Sequence, residues 1–487
     1  MNSAPERIAP RSHRKGGQDG PYREDFRDYL ATAEKNGKRK WVYPKKVAGK
    51  WFRWRTWFSW VLLTIMFMGP FIKINGNPLL MINVVERKFS ILGQIFWPQD
   101  MIIFAVAMLI FLTGIIIFTT AFGRLWCGWA CPQTVLMEMV FRKIEYLIEG
   151  DASAQRALHK APWHKAKILK KSAKHAIFLA LSFGISNWLL SYIIGYEALL
   201  KIVTDNPRDH LVGLAFMALF AVIFYLIFAR FREQACTFIC PYGRLQSAII
   251  DENTVVVAYD YKRGEKRGAL NRKLSLADRT AQGFGDCISC RECVSVCPTG
   301  IDIRNGTQME CINCTACIDA CDRVMTRIGR PTGLIRYASQ NTIERAEKFR
   351  FTSRMTWYAG VLTALIALFM LLLFTRSEAE STFLRAPGAL YQEQAGGKIS
   401  NIYTLKTVNK GSRHLTLDLR LEKISGELKL MGSGRFSVPR EGIAQTSVLI
   451  TIDRAALKSP KTKLNIGIYA NGERIQTINT IFVGPRN

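Results

Sequence analysis

The sequence predicts a multidomain membrane protein that joins an α-helical bundle of five transmembrane helices to an inserted cysteine-rich domain and a carboxyl-terminal all-β sandwich. Three observations support this fold class. Several runs of about 20 residues carry almost no charge, which is the length that a bilayer core requires. All 12 cysteines of the 487 residues fall in four compact motifs. The last part of the chain alternates apolar and polar residues, as strands with one buried face do.

The five predicted spans differ sharply from the segments that separate them. Residues 1–56 hold fifteen Lys and Arg against six acids, and residues 122–175 hold ten against four. The positive-inside rule then places the amino terminus in the cytoplasm and the carboxyl terminus outside. No secretory signal peptide is expected, because the first 50 residues contain no apolar h-region. The predicted spans are residues 57–74, 101–122, 176–194, 211–231 and 355–374.

We expect the chain to cross the inner (cytoplasmic) membrane of a bacterium. This topology divides it into five regions. The net charge of +29 does not indicate nucleic acid, because the positive residues flank apolar spans and suit anionic membrane lipid. The predicted regions are a basic cytoplasmic segment (1–56), four transmembrane helices with two cysteine motifs (57–250), a cytoplasmic cysteine-rich domain (251–350), a fifth transmembrane helix (351–376) and a periplasmic β domain (377–487).

Two cysteine runs with identical spacing lie in the region 251–350. Each reads C-x2-C-x2-C-x3-C, the spacing of bacterial ferredoxins, in which the fourth cysteine of one run ligates the cluster of the other. Zinc is the alternative, but four-cysteine zinc sites are normally built from C-x2-C pairs. The sequence therefore predicts a 2[4Fe-4S] ferredoxin-like domain. Its cluster-one cysteines are Cys287, Cys290, Cys293 and Cys321, and its cluster-two cysteines are Cys297, Cys311, Cys314 and Cys317.

Two further pairs of cysteines lie at the inner ends of predicted spans; we call Cys127, Cys131, Cys236 and Cys240 the membrane-edge thiols. The second cysteine of each pair precedes a proline, which favours the first position of a helix. A helix amino terminus and a nearby cation such as Arg124 are expected to lower a thiol pKa. The alternative is that all four are small apolar residues in helix packing. If the thiols converge, they form a soft sulfur site that prefers Cu(I).

Several stretches resemble the CcoG/FixG/RdxA family of cytochrome c oxidase accessory proteins, from about residue 39 to the end. The resemblance implies an immunoglobulin-like carboxyl-terminal domain and two [4Fe-4S] clusters held by the eight ferredoxin-type cysteines. It also implies a cupric reductase, an oxidoreductase that acts as an assembly factor for a cbb-type oxidase, with copper bound transiently at the membrane-edge thiols. The matching stretches are RKWVYP at 39–44, WCGWACPQT at 126–134, CPYGRLQ at 240–246, CPTGID at 297–302 and IGRPTGLIRY at 328–337.

The resemblance implies several partners, namely a cytoplasmic electron donor and proteins of copper transport and cbb-type oxidase assembly. Two alternative functions stay open on the residues alone. One is a quinol-linked electron conduit, similar to ferredoxin-type membrane subunits that share paired Cys-x-x-x-Cys-Pro motifs. The other is a non-enzymatic scaffold that holds copper.

Overall fold

The computed structural model describes residues 31–485 apart from 35, 37, 75, 84–87, 92, 271–275, 389, 395, 412, 433–435, 458 and 471. Most of the predicted basic segment, residues 1–30, therefore lies outside the described residues. The chain forms two compact units, which are described separately. The first comprises residues 1–68, 109–189 and 202–364, and the second comprises residues 69–108, 190–201 and 365–487.

Four helices among the described residues are long and apolar enough to cross a bilayer, so the chain is a membrane protein. They coincide with four of the five predicted spans. The third predicted span is part of a longer helix that begins at Lys165, because the basic residues before Ala176 continue the same helix. These helices are Met101–Phe122, Lys165–Ile194, Pro207–Phe231 and Ser353–Phe374.

The first predicted span, residues 57–74, is wrong in its bounds. The helix runs over Lys50–Met68 and ends before Gly69 and Pro70. Proline lacks an amide hydrogen and clashes with the preceding turn, so it cannot continue a helix interior. A short strand, Lys73–Ile74, follows where the span was expected to continue. The helix starts with Lys50, Arg53 and Arg55, and it is not one of the four helices that meet the apolar criterion.

The first unit contains the cysteine-rich domain, in which each cysteine run leads into a helix. The helices are Glu292–Ser295 and Ala316–Arg327. Strand Val256–Tyr259 pairs antiparallel with strand Ile335–Ala338 and closes the domain. Apolar side chains from the strands, the loops and the second helix form one core, which includes Val257, Ile301, Ile303, Ile318, Leu334 and Ile335.

Shorter helices connect the spans of the first unit. Two of the connections contain π turns, Leu136–Phe141 and Ala235–Ile239, and a third π turn, Ile227–Phe231, ends a span. Such turns recur at functional sites in proteins. The connecting helices are Leu125–Trp129, Pro132–Val135, Arg142–Ile148, Ala152–Lys160, Pro241–Ile249, Tyr261–Gly264, Leu276–Ala281 and Gln340–Arg345.

The second unit is dominated by a β-sandwich, as the alternating pattern of the tail predicts. The strands that pair are antiparallel, and their inward side chains form one core around Tyr403, Leu405, Val448 and Leu464. One sheet contains strands Glu427–Met431, Ile443–Asp453, Lys398–Asn409, Ala379–Arg385 and Gln392–Gln394, and the other contains Phe436–Val438, Leu415–Glu422, Lys461–Ala470 and Glu473–Val483.

A buried carboxylate ties the sandwich to the start of helix Met101–Phe122. Asp100, 5% exposed, accepts hydrogen bonds from Arg376 Nη2 at 2.7 Å and from Lys410 Nζ at 2.6 Å. Burial alone would raise the Asp100 pKa, but these two hydrogen bonds outweigh it and hold the pKa below its usual value. The carboxylate is therefore the shared counter-charge of two cations within this unit.

Replacement of Asp100 by asparagine is expected to lower the free energy of unfolding of this unit by about 3 kcal/mol, because it leaves the largely buried Arg376 without its carboxylate partner, whereas Lys410 keeps Glu380 at 2.9 Å. Thermal unfolding of the detergent-solubilised protein measures the loss. Glu393→Gln is the matched control, since Glu393 is exposed on strand Gln392–Gln394. Equal unfolding temperatures for the two variants would contradict the assigned role.

Candidate iron–sulfur and thiol sites

The cluster-one cysteines come together from both cysteine runs. Burial and the neighbouring thiols Cys293, Cys287 and Cys290 raise the pKa of Cys321, which lies in helix Ala316–Arg327. The fourth cysteine of the second run thus lies among the first three of the other run. This is the crossed arrangement that ferredoxin spacing predicts.

The cluster-two cysteines line a common cavity. Its wall contains Cys297, Cys311, Cys314 and Cys317, with Cys293 at one side and apolar residues such as Ile301 and Ile303 between them. Cys297 accepts backbone hydrogen bonds from Thr299, Gly300 and Ile301, and Cys311 and Cys314 accept them from Asn313 and Ala316. Hydrogen bonds to cysteine sulfurs are among the features that tune iron–sulfur clusters. The residues present therefore fit a [4Fe-4S] cluster.

The two cysteine loops share an unusual backbone. Ser289 and Arg291 in the first run, and Asn313 and Thr315 in the second, have φ values of 54°, 56°, 52° and 65°. These are left-handed conformations at equivalent positions, and none of the four residues is glycine. Such strained turns collect at binding sites, where successive amide groups can face an anion. Sequence reasoning missed these left-handed conformations, because none of the four residues is the glycine that usually indicates them.

The membrane-edge thiols occupy matching positions in two helical turns. Cys127 lies in helix Leu125–Trp129, and Cys236 lies in the π turn Ala235–Ile239. Cys131 and Cys240 are the amino-terminal caps of helices Pro132–Val135 and Pro241–Ile249, each with proline at the first turn. The helix starts expected from the two Cys-Pro pairs are present.

Charge interactions connect these thiols. Burial raises the pKa of Cys236 to about 12, with further contributions from Cys131, Cys127 and Cys240, against the opposing charge of Arg124. Burial likewise raises the pKa of Cys127 to about 11. At these two positions desolvation outweighs the cation, so the thiol activation argued for the helix-start cysteines does not extend to them. Burial therefore favours the protonated thiol at both positions.

The structure brings the four thiols near one another without assembling a single-ion site. In the described part of the chain, no three His, Cys, Asp or Glu side chains are placed to hold one metal ion. Ligation of copper by Cys127, Cys131, Cys236 and Cys240 therefore stays a prediction.

Gly128 joins the first thiol pair to the cluster-two loop. A Cβ atom at this position would lie 2.1 Å from the carbonyl oxygen of Ile312 and 3.1 Å from the amide nitrogen of Cys314. Only a residue without a side chain allows this approach. The segment between Cys127 and Cys131 is thus in backbone contact with a cluster-two cysteine.

Polar side chains fasten the same junction. Cys127 Sγ donates a hydrogen bond to Gln246 Oε1 at 3.0 Å, and Arg124 Nε donates to the same oxygen at 3.3 Å. Trp129 Nε1 donates to the Tyr337 hydroxyl at 3.2 Å, which donates to the carbonyl oxygen of Asn313 at 3.2 Å. Sequence reasoning identified Arg124 but missed Gln246 and Tyr337 as contact residues, although both fall in the stretches that carry the family resemblance.

Comparison with protein families agrees with the domain types. A 4Fe-4S dicluster domain matches residues 231–340, a 4Fe-4S binding domain matches residues 104–149, and the immunoglobulin-like fold at the carboxyl terminus of FixG matches residues 369–485. The chain accordingly carries iron–sulfur clusters and an immunoglobulin-like tail. These matches lend no support to copper as a cofactor.

Curated relatives cover most of the chain. Protein RdxB of Cereibacter sphaeroides is 34% identical over 94% of this chain and 98% of its own length. Protein RdxA of the same organism is 34% identical over 82% of this chain and 86% of its own length. The nitrogen fixation protein FixG of Rhizobium meliloti is 35% identical over 62% of this chain and 58% of its own length. A crystal structure of a FixG-related protein from Vibrio parahaemolyticus covers 22% of this chain and 97% of its own, at 18% identity and a TM-score of 0.20, which is too low to establish a shared fold. The predicted family is confirmed: the chain belongs to the FixG/RdxA family of membrane-associated iron–sulfur proteins.

Proposed function

We propose that this protein passes single electrons from its iron–sulfur clusters to copper at the membrane-edge thiols, and so supplies Cu(I) for assembly of a cbb-type cytochrome c oxidase. The observation that carries the proposal is the contact of Gly128 with Ile312 and Cys314, which brings the first thiol pair against the cluster-two loop. The reduced cluster would lose one electron and Cu(II) would gain it to become Cu(I), while each thiol that binds copper would release its proton to solvent. Soft thiolate ligands favour the reduced ion.

The residues of the chain have separate tasks in this proposal. The bound clusters supply one-electron chemistry at a potential that ligands, hydrogen bonds and burial set. The cluster-one and cluster-two cysteines would hold them, and the amide groups of Thr299, Gly300 and Ile301 hydrogen-bond to Cys297. Arg124, 4% exposed, provides positive charge beside Cys127 and Cys236. That charge partly offsets the desolvation that disfavours the thiolate at these two positions, where copper would bind.

The proposed topology adds helix Lys50–Met68 to the four long spans, which gives five crossings of a bacterial inner membrane. The excess of Lys and Arg before the first helix and between residues 122 and 175 supports a cytoplasmic amino terminus. An odd number of crossings then puts the immunoglobulin-like domain in the periplasm. The clusters would take electrons from a cytoplasmic donor, and copper-transport and oxidase-assembly proteins would be the partners.

The test uses full-length protein that is purified anaerobically, reduced in advance and mixed with Cu(II) and a colorimetric Cu(I) chelator. We expect the Cys127→Ser/Cys131→Ser double variant to reduce copper at least tenfold more slowly than the wild type at equal iron content. Thr237→Ser is the matched control, because Thr237 lies between Cys236 and Cys240 but carries no thiol. An unchanged rate in the double variant would remove these thiols from the reaction.

A second candidate is the quinol-linked conduit, with a further iron–sulfur cluster at the membrane-edge thiols. The 4Fe-4S binding domain matched at residues 104–149 favours it, because Cys127 and Cys131 are the cysteines in that range. Two [4Fe-4S] clusters account for about eight iron atoms per chain. Substantially more iron, together with cluster reduction by a quinol, would support this candidate, whereas clusters that do not change oxidation state would support the copper-holding scaffold.

A further inference from the structure

Arg55 is a buried cation with no anionic partner among the described residues. Its side chain lies near the start of helix Lys50–Met68 and the residue is 3% exposed. Nε donates a hydrogen bond to the carbonyl oxygen of Gly128 at 2.7 Å, while Nη2 is buried without a hydrogen-bond partner. Glu138, which shares a cavity wall with Arg55, is paired instead with Arg142 at 3.0 Å.

A buried charge without a counter-charge is costly, because transfer of an ion out of water is opposed by several kcal/mol even after relaxation. Arg55 lies beside the cluster-two loop, since the Gly128 that it contacts packs on Cys314. A negative charge that balances Arg55 is therefore expected on the side of the guanidinium that faces the cluster-two loop.

The surroundings of the cluster-one cysteines differ in this respect. Two arginines act on Cys293 or Cys287, and each has a carboxylate partner. Arg304 pairs with Asp302 at 2.6 Å, and Arg267 pairs with Glu265 at 2.9 Å. Their positive charges are largely cancelled at short range.

Beside the cluster-two cysteines the nearby cations have neutral partners. Arg55 bonds a backbone carbonyl group, and Arg124, which acts on Cys311, bonds Gln246 and the carbonyl oxygen of Met309. Among the described residues, the two cations beside cluster two therefore have no carboxylate of their own, although Glu138, which is paired with Arg142, also acts on Cys314. The two cations beside cluster one are each paired directly with a carboxylate. Arg124 also influences the membrane-edge thiols, so Arg55 is the residue that separates the two effects.

We propose that Arg55 is a positioning residue that raises the reduction potential of cluster two relative to cluster one, so that an electron entering the protein collects beside the membrane-edge thiols. Reduction adds one negative charge to a cluster, and a fixed buried cation stabilises the reduced form more than the oxidised form. This inference rests on the iron–sulfur clusters and is independent of copper as the acceptor.

The test is an EPR-monitored redox titration of the full-length protein in detergent, without copper. Arg55→Gln is expected to lower the midpoint potential of cluster two by at least about 59 mV, which is a tenfold change in the one-electron equilibrium constant. In Arg55→Gln, cluster one is expected to keep its midpoint potential. Arg55→Lys should keep most of the wild-type midpoint potential of cluster two. Arg53→Gln, which changes an exposed residue on the same helix, should change neither potential. Cys290→Ser assigns the signals, because it alters cluster one.

Three results would overturn the proposal: no shift in Arg55→Gln, an equal shift of both clusters, or a shift in Arg55→Lys as large as in Arg55→Gln. If Arg55→Gln fails to retain iron, Arg55→Lys decides. Full iron content with a cluster-two midpoint near the wild-type value supports the role of the charge, and a tenfold or larger change contradicts it. Because the titration contains no copper, its outcome is separate from that of the copper-reduction assay.

Discussion

Replacement of Gly128 by alanine is expected to slow electron transfer from the reduced clusters to Cu(II) at least tenfold. The new Cβ atom would lie 2.1 Å from the Ile312 carbonyl oxygen, which is shorter than any real contact of this kind. Because the obstacle is backbone, the segment that carries Cys127 and Cys131 must move away from the cluster-two loop. Overpacking of this type also costs about 1 to 3 kcal/mol of stability.

Gly114→Ala is the control for this variant. Gly114 lies in helix Met101–Phe122, and a Cβ atom built there meets nothing within 4 Å. Both variants are compared by iron content, EPR spectra and the rate of Cu(I) formation after reduction in advance. We expect normal iron content in both variants and a slow rate of Cu(I) formation in Gly128→Ala alone. A rate equal to that of the control would mean that the contact does not serve electron transfer.

Replacement of Glu145 by glutamine is expected to destabilise the first unit by about 3 kcal/mol or more. Glu145, 2% exposed, accepts two hydrogen bonds from Arg232 at 2.9 Å, and Lys174 lies 3.4 Å away. The neutral amide leaves buried cations without this carboxylate. Glu197→Gln is the contrasting control, because the Glu197 partner Lys73 is exposed and such pairs contribute about 0 to 1 kcal/mol.

The Glu145 carboxylate also makes the stability of the folded protein depend on pH, and the sign of this dependence follows from its pKa. Burial would raise the Glu145 pKa, but the attraction and hydrogen bonds of Arg232 lower it to about 2, from an ordinary value of 4.5. A lowered folded-state pKa contributes stability that is present above pH 4.5 and is lost as the pH falls toward 2. Thermal unfolding should therefore show a steeper decline in this range for the wild type than for Glu145→Gln. Parallel declines would contradict the assignment.

The sequence predicts those features that depend on local pattern. Apolar runs locate four spans, cysteine spacing identifies the ferredoxin-like domain, and Pro132 and Pro241 predict the helix starts after Cys131 and Cys240. Alternation along the tail predicts the sandwich. The end of the first helix is missed although Gly69 and Pro70 are visible, because apolar residues continue beyond them.

The junction between the thiols and the clusters could not be predicted, because it depends on contacts between distant parts of the chain. Gly128 looks like an ordinary small residue until the Ile312 carbonyl group is placed against it. Arg55 looks like one more charge at the start of a helix until its burial removes it from water. Likewise, the raised pKa of Cys127 follows from desolvation, which the sequence around the cysteine does not report.

The most direct measurement of the central claim compares Cys321→Ser with Cys297→Ser in anaerobically purified protein, by EPR and iron analysis. If the two runs exchange their fourth ligands, Cys321→Ser perturbs the cluster whose other ligands are Cys287, Cys290 and Cys293, and Cys297→Ser perturbs the other. Each variant should leave one wild-type cluster signal. If instead each substitution alters the cluster of its own run, or the wild-type protein contains zinc and no redox-active iron, the account is contradicted.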